Sequence, residues 1–237
     1  MINKNKSYFK SPTGFTLVEL VMVLAVIGVI IAAILPRFAR SHARSSKINC
    51  VNNLKQIGLS FRCWELDSGD RFPMEVPLNE GGTNFGTMDF TNGISTYMHF
   101  LVMSNELSTP KILICPLEND SQRTSANNFT AAAHPSPNSI VFNSNSNLSY
   151  FVGLDAKENN PTQILAGDRN LTNSVPLRNG VMDVKPGQSM GWENTRHLLQ
   201  GNVTLRDGSV QQFSSARLRS HISDNNLTNR LSMPVLK

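Results

Sequence analysis

Few residues in this chain have the type and spacing to do chemistry. The first is a carboxylate. Glu19 is the one strongly polar side chain between Phe15 and Leu35, within GFTLVELVMVLAVIGVIIAAILP at residues 14–36. A charge in such a run is costly and usually has a partner or a task; the plainer alternative is a side chain that snorkels to the oil–water boundary. The second is His197, which precedes Asp207-Gly208 with nine residues between. No serine, cysteine or carboxylate stands at a spacing that defines a triad with it, so we expect it to hydrogen-bond the backbone entering a hairpin. Asp67 and Asp70 are oxygen ligands of the kind calcium takes, but two carboxylates fall short of a full set. We expect a solvated turn there, no cofactor and no metal. His99 has no second ligand nearby and reads as a core or rim histidine.

The three cysteines, Cys50, Cys63 and Cys115, are too few for a disulfide framework. Cys50 and Cys63 fall on one helix about 20 Å apart, beyond bonding reach. A Cys63–Cys115 bond and a fully reduced set both stay open.

The elements that position these residues follow from periodicity. The run after Gly14 is apolar all round and makes a helix of about 31 Å, enough to cross a bilayer core of about 30 Å once. Pro36 ends or kinks it. A helical stripe then resumes through Ile48, Val51, Leu54, Gly58 and Phe61, with Ile57 and Trp64 beside it. The reading is one long helix to about Leu66, stopped by Gly69 and Pro73, whose second half lies on a globular domain. Within that domain, residues 94–105 read as a short buried helix and Lys111–Cys115 as a strand ended by Pro116. Residues 121–147 read as a surface excursion interrupted by Ile140-Val141-Phe142. Leu148–Gly153 and Gln163–Gly167 read as strands. Asn202–Arg206 and Ser209–Phe213 read as a hairpin around Asp207-Gly208 in a type I′ turn, with Val203, Leu205 and Val210 on its inner face. Ser214–Leu231 reads as a helix, with Leu218, Ile222, Leu227 and Leu231 covering the sheet.

The residues around Glu19 carry a resemblance. Gly14-Phe15-Thr16-Leu17-Val18-Glu19, a basic leader and an apolar span closed by Pro36 resemble the processing signal of type IV prepilins and type II secretion pseudopilins. The resemblance implies cleavage after Gly14 by a prepilin peptidase, methylation of the freed amine of Phe15, and a role for Glu19 and Pro36 in assembly. Helical geometry supports this, because Glu19 lies four residues from that amine on the same side, in the turn where the helix dipole favours an anion. Between subunits the amine of one chain could neutralise Glu19 of the next and set the packing register. His197, Asp207 and Gly208, with CVNNLKQIG (residues 50–58), DRFP (70–73), ICP (114–116) and SYFVGLD (149–155), are similar to a pseudopilin-like family of planctomycetes and verrucomicrobia. There the closing motif is expected to be structural.

The implied organisation is a leader at 1–14, a transmembrane helix at 15–36, its amphipathic continuation at 37–66, and an extracytoplasmic domain at 67–237. The fold class is α+β and pilin-like, a long helix packed on a small antiparallel sheet. The implied protein is a non-enzymatic filament subunit of a type II secretion-type pseudopilus. Alternatives are a type IV pilin of a surface filament or a tethered binding domain that does not polymerise. Its partners would be the peptidase, other pilin or pseudopilin subunits, an inner-membrane platform with its ATPase, and lipid. The positive-inside rule is indecisive, since Lys4, Lys6 and Lys10 precede the span and Arg37, Arg40, Arg44 and Lys47 follow it. Resemblance places the leader in the cytoplasm and the domain outside the inner membrane. An ordinary secretory signal cut near Ala32-Ala33 is the rival reading, and Glu19 is out of place in one. Nucleic acid is not implied: taking the three leader lysines off the net charge of +5 leaves +2.

Overall fold

The computed structural model of the chain describes residues 14–84, 96–130, 138–157, 159–172, 176–194, 196–226 and 228–236; the side chains of 35–44, inside the first helix, are not among them. Helix α1 runs over Leu17–Asp67. The chain divides into two compact units, Met1–Arg44 and Ser45–Lys237, so α1 contributes to both.

In the first unit every residue from Gly14 to Ile34 is exposed. Leu17–Ile34 is long and apolar enough to cross a membrane. Large side chains such as Phe15, Leu17, Val29 and Ile31 stand more than half exposed. Each would gain about 1.5–3 kcal/mol on burial, so this surface calls for lipid or other helices around it. The helical assignment continues unbroken through Pro36, whose side chain lies outside the described residues.

In the second unit, the described strands form one antiparallel seven-stranded sheet, in the order β3-β4-β7-β1-β2-β5-β6. These are β1 (Tyr150–Gly153), β2 (Ile164–Asp168), β3 (Leu177–Arg178), β4 (Val181–Val184), β5 (Gln200–Leu205), β6 (Val210–Ser214) and β7 (Asn229–Ser232). Two short helices, α2 (Tyr97–Leu101) and α3 (Ser104–Leu107), precede the sheet, and α4 (Ser215–Asp224) follows β6. One core gathers Cys50, Leu54, Ile57, Phe61 and Trp64 of α1 with Tyr150, Val152 and Leu165 of the sheet. The other gathers Phe151, Ile164, Val203, Leu205 and Phe213 with Leu218 and Ile222 of α4. Central strands are therefore apolar on both faces. The helix approaches β5 closely at Gly58, where a Cβ would lie 2.7 Å from Thr204 Cγ2, and Thr204 Oγ1 donates to the carbonyl of Leu54 at 3.3 Å.

Several expectations are corrected. Ile48 is 54% exposed and Cys50 takes its place in the core. Lys111–Cys115 is no strand: Pro110–Leu113 forms a 3-10 turn, with Pro110 at its start and Thr109 capping Lys111 N, because proline presets a helical φ there. Residues 121–147 are anchored where described. Ala126, Phe142 and Asn147 are buried, and the Arg123 guanidinium donates to the carbonyls of Asn145 and Pro234, both at 2.6 Å. Residues 131–137 lie outside the described set, as do 94 and 95 of the expected helix at 94–105. The β5–β6 turn is not type I′, since Gly208 has φ +84° but Asp207 is not left-handed. Gly208 N donates to Leu205 O and Leu205 N to Ser209 O, both at 2.9 Å, which is a three-residue loop closed by a left-handed glycine. Val210 pairs with Thr204, so it faces α1 rather than joining Val203 and Leu205. The helix expected to Leu231 ends at Asp224. Leu231 lies in β7, paired with Met182 and Gly153, and Leu227 lies outside the described residues.

Candidate functional site

The N-terminal site comes first in the chain. Gly14, Phe15 and Thr16 precede the first turn of α1, and Phe15 is 79% exposed. The Gly14–Phe15 peptide is therefore outside the helix and open to a protease. Glu19 Oε2 accepts from Thr16 N at 2.8 Å and from Thr16 Oγ1 at 2.8 Å, while Glu19 N donates to Thr16 Oγ1 at 3.3 Å. This reciprocal pair is a capping box. It holds the carboxylate against the first free amide of the helix, one residue from the amine that cutting after Gly14 would create. Thr16 is a residue that an argument on Glu19 alone overlooks. Its signal is legible as Thr16-x-x-Glu19 ahead of an apolar run.

The C-terminal motif does not converge on one place. Asp207 and Gly208 form the hairpin tip, where Asp207 Oδ1 accepts from Ser209 N at 2.8 Å. His197 lies at the other end of β5 and is wholly buried. It does not hydrogen-bond the hairpin backbone as expected. Its Nε2 stands 3.3 Å from Asp168 Oδ2 and 3.5 Å from Cys115 Sγ. Asp168 ends β2 beside β5, and its Oδ2 also accepts from Asn202 N at 2.7 Å and Asn202 Nδ2 at 2.8 Å. A carboxylate accepts, so the imidazole proton sits on Nε2. Leu198 and Leu199 follow with φ +53° and +59°, a conformation costing about 1–2 kcal/mol per residue. That strained pair turns the chain into β5 with the imidazole held inward.

Cys115 is bonded to Cys50, with Cα atoms 5.3 Å apart, and Cys63 is the free, exposed cysteine. The expected choice between Cys63–Cys115 and a reduced set is corrected. The bond staples α1 to the loop after the Pro110–Leu113 turn. Cys50 faces the core while Cys63 faces away from it, and helix phase decides the pairing.

Around this cluster lies a buried ion network that single-residue reading did not find. Glu118 accepts from Arg169 Nη2 and Arg196 Nη1, each at 2.8 Å, and from Ser149 Oγ at 2.7 Å. Asp120 takes Arg169 Nη2 at 3.0 Å and Arg123 Nε at 3.3 Å. Burial works to raise the Glu118 carboxyl, but the Arg169 hydrogen bond and the Arg196 charge prevail and hold it below its usual range. Burial, then the neighbouring Arg169 charge, brings Arg123 down to about 10. His99 is buried with Nδ1 2.7 Å from Thr83 Oγ1, and burial lowers it to about 4. Among the described residues, Asp67 and Asp70 join no group of three candidate metal ligands; Cys50, Cys115 and His197 form one.

A family model described as the prokaryotic N-terminal methylation motif matches residues 10–35. The chain carries a prepilin-type signal. Together with the apolar helix and the α+β domain, that signal supports a type IV pilin-like or pseudopilin-like protein, with one candidate membrane span among the described residues. Such a signal implies processing by a prepilin peptidase and assembly with other pilin subunits. The match ends at residue 35, and it does not reach the second resemblance, which runs through residues 50–58, 70–73, 114–116 and 149–155 to His197 and Asp207-Gly208. No solved structure matches the chain.

Proposed function

We propose that the chain is a structural subunit of a type II secretion-type pseudopilus, cut after Gly14 and methylated at Phe15. The observation that carries this is the Thr16–Glu19 capping box, at the start of an apolar run whose residues 14–34 all stand exposed. The box places an anion where the new ammonium of a neighbouring subunit would meet it. Moving the helix from lipid into a bundle gains little hydrophobic energy, so packing and this charge pair supply specificity. An inner-membrane platform and its ATPase would drive the transfer, with the globular unit outside the membrane.

A surface pilus is the second reading. The absence of any cysteine beyond Cys115, and hence of a disulfide-closed C-terminal loop, favours the pseudopilus. We assign no catalysis to the chain. His197 and Asp168 are wholly buried and the Cys115 sulfur is taken up in a disulfide, so none of the three is an accessible nucleophile. The test is Glu19→Ala, followed by crosslinking and filament recovery. Loss of higher oligomers with normal membrane anchoring supports a filament subunit. Unchanged behaviour favours a tethered domain that does not polymerise.

A further inference from the structure

The disulfide seam has more ligand chemistry than a staple requires. Cys50 Sγ, Cys115 Sγ and a ring nitrogen of His197 all lie within 4.8 Å of one another, and all three residues are buried. Asp168 Oδ2 stands 3.3 Å from His197 Nε2, which is 3.5 Å from Cys115 Sγ. Tetrahedral zinc has bonds of about 2.3 Å to sulfur, 2.0–2.1 Å to imidazole nitrogen and 2.0–2.2 Å to carboxylate oxygen. Those lengths put ligand pairs about 3.6 Å apart for sulfur and nitrogen and about 3.4 Å for nitrogen and oxygen. The two observed separations match these edges. The sulfurs would have to part, to about 3.8 Å, and Asp168, which stands outside the group of three that lie within 4.8 Å of one another, would have to close on them from its place beside His197.

A second observation points the same way. His197 Nδ1 and Asp168 Oδ1 are buried without a hydrogen-bond partner. Buried polar atoms left unpaired in this way are costly. Nδ1 is also the position that can receive the imidazole proton when Nε2 turns to a metal.

We propose that, with the disulfide open, Cys50, Cys115, His197 and Asp168 form a zinc site, so that bond and metal are alternative closures of one seam. The chemistry balances. An external dithiol gives two electrons and two protons to the Cys50–Cys115 bond and leaves as its own disulfide. Zinc then displaces both thiol protons, and the Nε2 proton moves to Nδ1. Either closure ties α1 to the loop at Cys115; the zinc closure would also tie in β2 through Asp168 and the chain entering β5 through His197.

The test uses the full chain in detergent, in a Cys63→Ser background that removes the one other thiol. Reduced, chelator-stripped protein is titrated with Zn2+ against a chromogenic chelator, beside oxidised protein. The expected result is one zinc per reduced chain and none per oxidised chain. Asp168→Asn and His197→Ala are expected to weaken binding by at least about 10–100-fold, the range that even outer partners of a site command. Should those variants misfold, Co2+ added to the reduced background chain decides, through sulfur-to-cobalt charge-transfer bands and a tetrahedral ligand-field spectrum. No zinc on the reduced chain, equal binding by the oxidised chain, unchanged affinity in folded His197→Ala, or a Co2+ spectrum lacking thiolate bands overturns the proposal.

Discussion

Reducing the Cys50–Cys115 bond should cost the globular unit a large part of its stability, and the amount follows from the loop it closes. The two cysteines are 65 residues apart. In the chain-entropy description, a loop of that length restrains the unfolded state by about 4 kcal/mol. At about 2–4 °C per kcal/mol for a domain of this size, the melting temperature should fall by about 8–16 °C. The assay is thermal and urea unfolding of the full chain in detergent, with and without a phosphine reductant. A chelator is present throughout, so that no metal replaces the bond. Cys63→Ser is the control and should change nothing beyond about 0.5 kcal/mol, because Cys63 is exposed and unbonded. A loss below about 1 kcal/mol on reduction would refute the reasoning, as would an equal loss from Cys63→Ser alone.

Other outcomes can be checked on the same protein. His99 is held neutral, with its pKa lowered to about 4 by burial. Its contribution is therefore complete above the unfolded value near 6.5 and is lost as pH falls from there towards 4, by about 3 kcal/mol in all. Urea midpoints measured between pH 7 and 4.5 should show this slope, and His99→Leu should flatten it. Glu118→Gln leaves the buried guanidinium of Arg196 without its carboxylate and should destabilise by about 3–5 kcal/mol, read by the same titration. Gly58→Ala places a methyl against Thr204 Cγ2 and should cost about 1–3 kcal/mol. Adding Thr204→Ser, which removes that carbon and keeps the hydroxyl, should return most of it.

What the residues disclose in advance depends on range. The apolar run, the stripe Leu54-Ile57-Phe61 and the strands expected at 148–153 and 163–167 are local patterns, and the structure forms them with strand bounds of 150–153 and 164–168. The turn at Asp207-Gly208 was legible as a turn but not as a type, because both turn classes place glycine in a left-handed conformation. Leu231 carries an apolar spacing that suits a helix or a strand, and pairing with β4 and β1 decides it. Cys50 is easily passed over because the stripe can be started at Ile48, two residues away and nearly on the opposite side of the helix, although it is Cys50 that keeps the four-residue step to Leu54. The Glu118 network joins residues 118, 149, 169 and 196. The seam at His197 joins 50, 115, 168 and 197. Neither has a sequence spacing to betray it, since each partner arrives on a different element. The N-terminal signal is the opposite case, because Gly14 to Glu19 are contiguous in the sequence.

The most direct test is intact-mass and N-terminal mass spectrometry of protein recovered from its own cells. The account predicts a chain beginning at Phe15 with a methylated amine. A chain that keeps residues 1–14, or one cut near Ala33, contradicts it.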